Sequence, residues 1–478
     1  MRRLINLAII LFRNCGRWRN RPWLHRSSLI SLAGVLTGQQ KIRTYSSSLS
    51  FGLLFVFKTS FAQQKAWNED ATPLHRAENA LTVVMVHDVF SPNVASRIYV
   101  YANIAAYEVL VKQEEDYRSL YGQVKSFPQI PSPAANISPS LSSVYAFLLV
   151  GKKLVFSEPV LQDSINNILK WYARKKINSK IYAASLAYGK QVADSVISWS
   201  NKDQYKETRR MRRYNFSKQD GKWIPTPPGY MVAVEPYWNK IRTLTLDSAS
   251  QFQPALPTIF SKEKNSTFYK EANEVYEAGV KMTPAQRDIA NFWDCNPFFL
   301  NTQGHLNFAG KKISPSGHWM SIVGIVCRKV NKNLVESASI YTLSSIALFD
   351  GFISCWDEKY RSNLIRPETY INANIDESWR PLLQTPPFPE YTSGHSVISS
   401  AAAVVLTNML GPEFSFDDTS EVDYGLPITH FDSFEAAANQ ASISRLYGGI
   451  HYRPAIENGQ EQGKNVGNWV LSRIHLKK

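Results

Sequence analysis

Cysteine is scarce in this chain of 478 residues: Cys15, Cys295, Cys327 and Cys355 are all there is. Cys15 falls in an N-terminal leader, and the other three are an odd number without metal-type spacing. At most one disulfide can form, so a disulfide-stapled fold is excluded and three buried thiols are the plainer expectation. Acidic residues are missing altogether from residues 1–62, which carry ten Lys or Arg. The net charge of +15 less those ten leaves +5 for the remainder, so the basic balance belongs to the leader. Nucleic-acid binding by the rest of the chain loses its compositional support. Beyond Gln63 no uninterrupted apolar run reaches the roughly 20 residues that span a bilayer. The longest contender, "IYTLSSIALFDGFISCW" (340–356), is broken by Asp350 and three serines and reads as a buried helix. Strand signals are nearly missing, and no internal repeat is evident.

What is present is a leader followed by helices. The leader ends in "SLSFGLLFVFKTSFAQQ", where an apolar stretch from Phe51 to Phe57 precedes Ser60-Phe61-Ala62. That small-x-small pattern suits cleavage before Gln63 and predicts export to the periplasm or beyond, with a disordered basic tail as the alternative. From Ala71 onward the periodicity is helical, with a break at Ser91-Pro92. Residues 201–260 interrupt it with proline and charge, and predict an extended excursion over the surface. Arg209, Arg210, Arg212 and Arg213 in that stretch read as a solvated charge run. Thr283 and Pro284 restart a helix as N-cap and first residue. The fold class expected is all-α, packed helical bundles. Its divisions are a leader (1–62), an N-terminal helical region (63–290) and a catalytic helical domain (291–478).

Two near-identical words, "SPSGHW" (314–319) and "YTSGHS" (391–396), raise the question of chemistry. A Ser-Gly-His tripeptide turns up in about one chain of this length in twenty by composition, so company must decide. The second copy has it. Upstream, Lys359 and Arg366 stand seven residues apart, close to two turns, which predicts both cations on one helix face with Pro367 ending the run. Downstream, Arg445 and His451 flank Gly448-Gly449, which can fold the histidine back toward the arginine. Ser393 or Ser396 can cap the helix that follows, leaving the Gly394 and His395 amides at an anion-binding N-terminus. Three cations, a hydroxyl, free amides and two imidazoles suit a multiply charged tetrahedral oxyanion. His318 of the first copy has no such company and reads as a helix-entry or loop histidine, or as a support behind the site.

Lys-x6-Arg-Pro, Ser-Gly-His and Ser-Arg-x5-His, in that order over the last quarter of the chain, resemble the signature shared by vanadium-dependent haloperoxidases and type 2 phosphatidic-acid phosphatases. The resemblance implies that Lys359, Arg366, Ser393, Gly394 and Arg445 hold the oxygens of vanadate, or of phosphate in the same nest. It makes His451 the axial ligand to vanadium, or the phosphorylated nucleophile, and His395 the acid–base partner. Hydrogen peroxide and halide are then the substrates, or a phosphomonoester in the phosphatase alternative; a non-catalytic oxyanion-binding protein is the third possibility. Two departures stand out: Thr392 replaces the usual Pro, and Ala455 replaces an Asp four residues past the anchoring histidine. Glu457 is then the nearest carboxylate in sequence. Trp356 and Phe388 resemble aromatic positions lining the haloperoxidase halide site, with core packing as the plain alternative. The bromoperoxidase branch tends to carry histidine at the Phe388 position, so the resemblance here is to the chloroperoxidase or iodoperoxidase pattern. The long helical region ahead of the signature also favours a haloperoxidase over the shorter periplasmic phosphatases.

Overall fold

Capping chemistry sets most of the helix boundaries. The computed structural model describes residues 70–303, 306–309 and 311–478, so the leader and the expected cleavage before Gln63 lie outside the described residues. α1 spans Thr72–Asp88 and α2 Pro92–Leu110. Between them Ser91 Oγ accepts the Val94 amide at 3.3 Å, and Pro92 takes the first helical position, where its missing N–H costs nothing. α3 (Pro139–Leu154), α4 (Glu158–Ala173) and α5 (Ser179–Ser200) complete an N-terminal bundle, and α6 (Tyr205–Thr208) is a single turn. α7 covers Thr267–Val280. α8 (Pro284–Phe292) starts at Thr283, whose side chain accepts the Gln286 amide while the Gln286 side chain accepts the Thr283 amide. Then come α9 (Pro315–Lys329), α10 (Leu334–Ser362), α11 (Pro367–Asn374), α12 (Gly394–Leu410), α13 (Phe434–Tyr447) and α14 (Arg453–Arg473). The described strands form two antiparallel pairs, β1 (Leu300–Gln303) with β2 (Leu306–Ala309) and β3 (Phe416–Asp418) with β4 (Thr429–Phe431). Among the described residues the fold is all-α apart from these ribbons.

α10 is the axle. It packs on α2 toward the N-terminal bundle and on α12 and α14 toward the C-terminal one. It is long and apolar enough to cross a membrane by length and composition, yet its most apolar stretch is wholly buried in protein. α12 and α14 approach until their backbones nearly touch. Gly459, Gly463 and Gly467 form a stripe along α14, and a Cβ at Gly463 would stand 2.1 Å from the Val397 carbonyl oxygen. Any side chain there would force the helices apart, an overpacking cost of about 1–3 kcal/mol or more.

The 201–260 segment corrects one expectation. It is irregular and in large part exposed, as proline density predicts, but it does not stay on the surface: Trp223, Trp238, Leu244 and Leu246 are buried. A buried loop must place its backbone polar groups, and α10 supplies the partners. Asp350, the residue that breaks the apolar run, accepts the amides of Leu244 (2.8 Å), Thr245 (2.8 Å) and Leu246 (3.3 Å) and the Thr245 hydroxyl (2.7 Å). The four arginines are exposed as expected, with Arg209 paired to Glu235.

Candidate active site

Three stretches of the C-terminal half converge where α10 ends and α12 begins. α10 stops at Ser362 with Asn363 in the left-handed conformation, and Arg366 is the N-cap of α11 with extended dihedrals (φ −77°, ψ 151°). Lys359 and Arg366 therefore do not share a helix face; Arg366 belongs to the next element. Asn363 tolerates the left-handed cap, which ended the helix before Pro367 could. The cations still meet. Lys359 Nζ donates to the carbonyls of Pro389 (3.0 Å) and Glu390 (2.9 Å). Arg366 donates to the carbonyls of Phe388 (2.8 Å) and Ile450 (2.9 Å). Arg445, in the last turn of α13, donates to the Trp293 carbonyl at 2.6 Å and to Ser444 Oγ at 2.9 Å. All three are buried.

Ser393 caps α12 by accepting the Ser396 amide at 3.3 Å, so Gly394 and His395 are the first two helical residues and their amides have no intrahelical acceptor. Gly448 closes α13, and Gly449 at φ 77° makes the left-handed turn that brings His451 back to the cations. His451 Nε2 lies 3.3 Å from Arg366 Nη1. Trp356, His395, Arg445 and His451 line one cavity together with Phe388. The Trp356 and Phe388 rings lie 4.8 Å apart, and Lys359 Nζ and Arg366 Cζ sit 5.1 Å and 5.0 Å from the Phe388 centroid.

The carboxylate that orients His451 is Glu390, which sequence reasoning missed. His451 Nδ1 donates to Glu390 Oε1 at 2.8 Å, and the Tyr452 amide donates to the same oxygen at 3.0 Å. That bond fixes the tautomer and leaves the Nε2 lone pair for a metal or an electrophile. Glu457 is exposed and faces Arg453 at 3.8 Å instead. The available signal was a lone acid three residues before Ser393 in an otherwise apolar and proline-rich run, "TPPFPEYTSGH".

Burial and mutual repulsion set the protonation states. Burial, then Arg366, Lys359 and Arg445, hold His451 well below the ordinary imidazole range. Burial, then Arg445 and His318, do the same to His395. Both rings are neutral at ordinary pH. His395 donates one ring N–H to the Trp293 carbonyl, and its Nε2 is without a partner among the described residues. A neutral ring that donates through one nitrogen has a bare lone pair on the other, a proton acceptor in the cavity. Burial brings Lys359 down to about 7 and lifts Glu390 to about 8, the latter opposed by Arg366 and Lys359. Arg366 Nη2 is also buried without a partner among the described residues. Unmatched cationic donors beside a helix N-terminus fit a tetrahedral oxyanion, and vanadate meets that test with His451 Nε2 as its nitrogen ligand.

His318, of the first Ser-Gly-His, is in the first turns of α9 and fully buried, so it is a helix-entry histidine. Its ring stacks on Trp293 at 4.4 Å and 18°, and the Trp293 carbonyl is the group that holds both Arg445 and His395. The three cysteines are buried and free, as expected.

A family model described as the VCPO second helical-bundle domain matches residues 339–476, the segment that contains Lys359, Arg366, Ser393, His395, Arg445 and His451. No curated protein sequence matches the chain. Among solved structures, a bacterial vanadium-dependent chloroperoxidase in its holo form shares the fold at 14% identity and a TM-score of 0.62, over 81% of this chain and 93% of that one. A bacterial vanadium-dependent iodoperoxidase superposes with a TM-score of 0.81 and 48% identity, over 85% of this chain and 97% of that one. Identity of that order across nearly the whole relative leaves no room for a fold-only likeness: this chain belongs to the vanadium-dependent haloperoxidase family.

Proposed function

We propose that the chain binds vanadate and oxidises halide with hydrogen peroxide to hypohalous acid, and that iodide is the halide it turns over best. The observation that carries this reading is the neutral His451, steered by Glu390 and aimed at buried cations beside the Trp356–Phe388 wall. Lys359, Arg366 and Arg445 would hold the oxygens of vanadate with the Ser393 hydroxyl and the Gly394 amide, and His451 Nε2 would be its nitrogen ligand. Bound vanadate supplies a Lewis acid that activates hydrogen peroxide without changing its own oxidation state. His395 Nε2 takes the proton that hydrogen peroxide must lose, at an atom with no competing partner among the described residues. The aromatic wall excludes water and suits a large polarizable anion, and the two cations over Phe388 offset its charge. Iodide is favoured because it is the least hydrated halide to strip and because the 48% identical relative is an iodoperoxidase.

Glu390 also bears on the phosphatase alternative, since a carboxylate–histidine pair can activate a nucleophile. Rates of iodide, bromide and chloride oxidation before and after vanadate loading test the proposal. Iodide turnover that appears with vanadate supports it. No turnover of any halide, with phosphomonoester hydrolysis inhibited by vanadate, replaces it with the phosphatase. We further propose export, on the leader's composition; mass spectrometry of the mature protein should find Gln63 at its N-terminus.

A further inference from the structure

Beside the oxyanion site, in the wall of whose cavity Cys295 stands, three donor atoms from distant parts of the chain meet in the interior. Cys295 follows α8, His318 lies near the start of α9, and Glu421 follows β3. Cys295 Sγ is 3.3 Å from His318 Nδ1, His318 Nδ1 is 3.3 Å from Glu421 Oε1, and the sulfur and carboxylate oxygen are 3.9 Å apart. All three residues are buried. Donors on adjacent corners of a tetrahedral zinc ion, with bonds of about 2.0–2.3 Å, stand about 3.3–3.6 Å from one another. The observed triangle is already close to that size.

The surroundings match as well. His318 Nε2 is 2.7 Å from Asp418 Oδ2, so the ring donates there and presents Nδ1 to the other two groups. Asp418 is itself held, its other oxygen accepting the Ser420 amide at 2.9 Å. A carboxylate behind a histidine is how metal-ligating imidazoles are oriented. Charge points the same way. Two carboxylates, Asp418 and Glu421, face a single imidazole, while the nearby Lys312 is taken by Asp294. Buried carboxylates of this kind are paired or coordinate a metal.

We propose that Cys295, His318 and Glu421 bind a divalent transition-metal ion, zinc by ligand type, with Asp418 orienting the histidine and a water completing the tetrahedron. Thiolate with imidazole and carboxylate suits zinc and not magnesium or calcium, which take oxygen ligands. Binding displaces two protons to solvent, that of the Cys295 thiol and that on His318 Nδ1, so that the sulfur bonds as thiolate and the imidazole in its neutral form. The ion sits one ring away from the oxyanion site: His318 stacks on Trp293, whose carbonyl holds Arg445 and His395. The zinc site stands whatever oxyanion the cavity binds, so it can fail or hold independently of the haloperoxidase reading.

The test is metal content in the full chain, purified without metal-affinity resin, equilibrated with zinc or cobalt(II) and desalted. Elemental analysis should find one zinc per chain in addition to any vanadium, and the cobalt form should show a thiolate-to-cobalt charge-transfer band. Cys295→Ser should abolish that band and most of the zinc. Asp418→Asn should weaken retention about 10–100-fold, as loss of such an orienting partner typically does. Cys327→Ser, at a buried thiol outside the cluster, should keep both signals. Folded wild-type protein that retains no zinc, or a cobalt form without the thiolate band, overturns the proposal even if the Cys295 variant does not fold. Zinc retained unchanged by folded Cys295→Ser and Glu421→Gln variants overturns it too.

Discussion

Serine, glycine and histidine open two helices in this molecule, two residues out of step with respect to the cap. At α9 the cap is Ser314, and the tripeptide begins at the second helical residue. The Gly317 amide is taken by Ser314 Oγ (3.1 Å) and the His318 amide by the Ser314 carbonyl (2.9 Å). At α12 the serine of the tripeptide is itself the cap, so the two amides that follow have no intrahelical acceptor. The histidines diverge for the same reason. At 3.6 residues per turn, a shift of two positions turns the side chain more than halfway round the helix. His318 points into the interior against Asp418, and His395 points into a cavity with an unmatched nitrogen. Phase relative to the cap, more than the tripeptide, decides which copy can meet an anion.

The contrast can be broken by experiment, and the largest effect belongs to the residue the second copy serves. His451→Ala should lose all bound vanadium with the far-ultraviolet circular dichroism unchanged; vanadium retained at one equivalent would break the assignment of the anchor. His395→Ala should keep vanadium but lower kcat by about 10²–10⁴-fold, the usual worth of a positioned acid–base group. His318→Ala should instead cost stability, about 3–5 kcal/mol, because it strands the buried Asp418 carboxylate. Urea melts and steady-state rates on both variants decide the pair, and an exchange of the two phenotypes would refute the comparison. Glu390→Gln should weaken vanadium retention by about 10–100-fold, read by dialysis and elemental analysis.

Acidity gives a smaller effect of definite sign. Lys359 must be charged to hold an oxygen, and burial has brought it to about 7 before any anion binds. An anion raises that value again, so binding takes up a proton once the pH passes about 7. Vanadate affinity should fall with rising pH above that point, by up to about tenfold per unit from this group. Glu390, near 8, adds a negative charge beside the site in the same direction. Titrating affinity between pH 6 and 9 checks the slope, and a rise with pH would contradict it. The smallest effects sharpen the comparison most. Ser314→Ala and Ser393→Ala should each cost about 1 kcal/mol of cap energy, and only the second should loosen vanadate, by a few-fold.

Much of this was legible in the residues. Ser91-Pro92, Thr283-Pro284 and Ser393 each carry their own start signal, and the structure begins helices there because a cap needs only the next three residues to work. The cations of the site were legible from type and order, although the shared-face argument for Lys359 and Arg366 failed at Asn363. The buried stretch at 243–246 was not legible, because Asp350 and the 244–246 amides it satisfies are more than a hundred residues apart.

The chain's own letters therefore determined the helical class and the helix starts at Ser91, Thr283 and Ser393, which rest on interactions between near neighbours, and they named the residues that meet at the candidate site by type and order. Tertiary structure alone decided that Glu390 and not Glu457 steers His451, and that Cys295, His318 and Glu421 form one cluster. Those choices depend on which loops are buried against one another. A carboxylate's effect on an imidazole is set by a distance of a few ångströms that sequence separation does not encode.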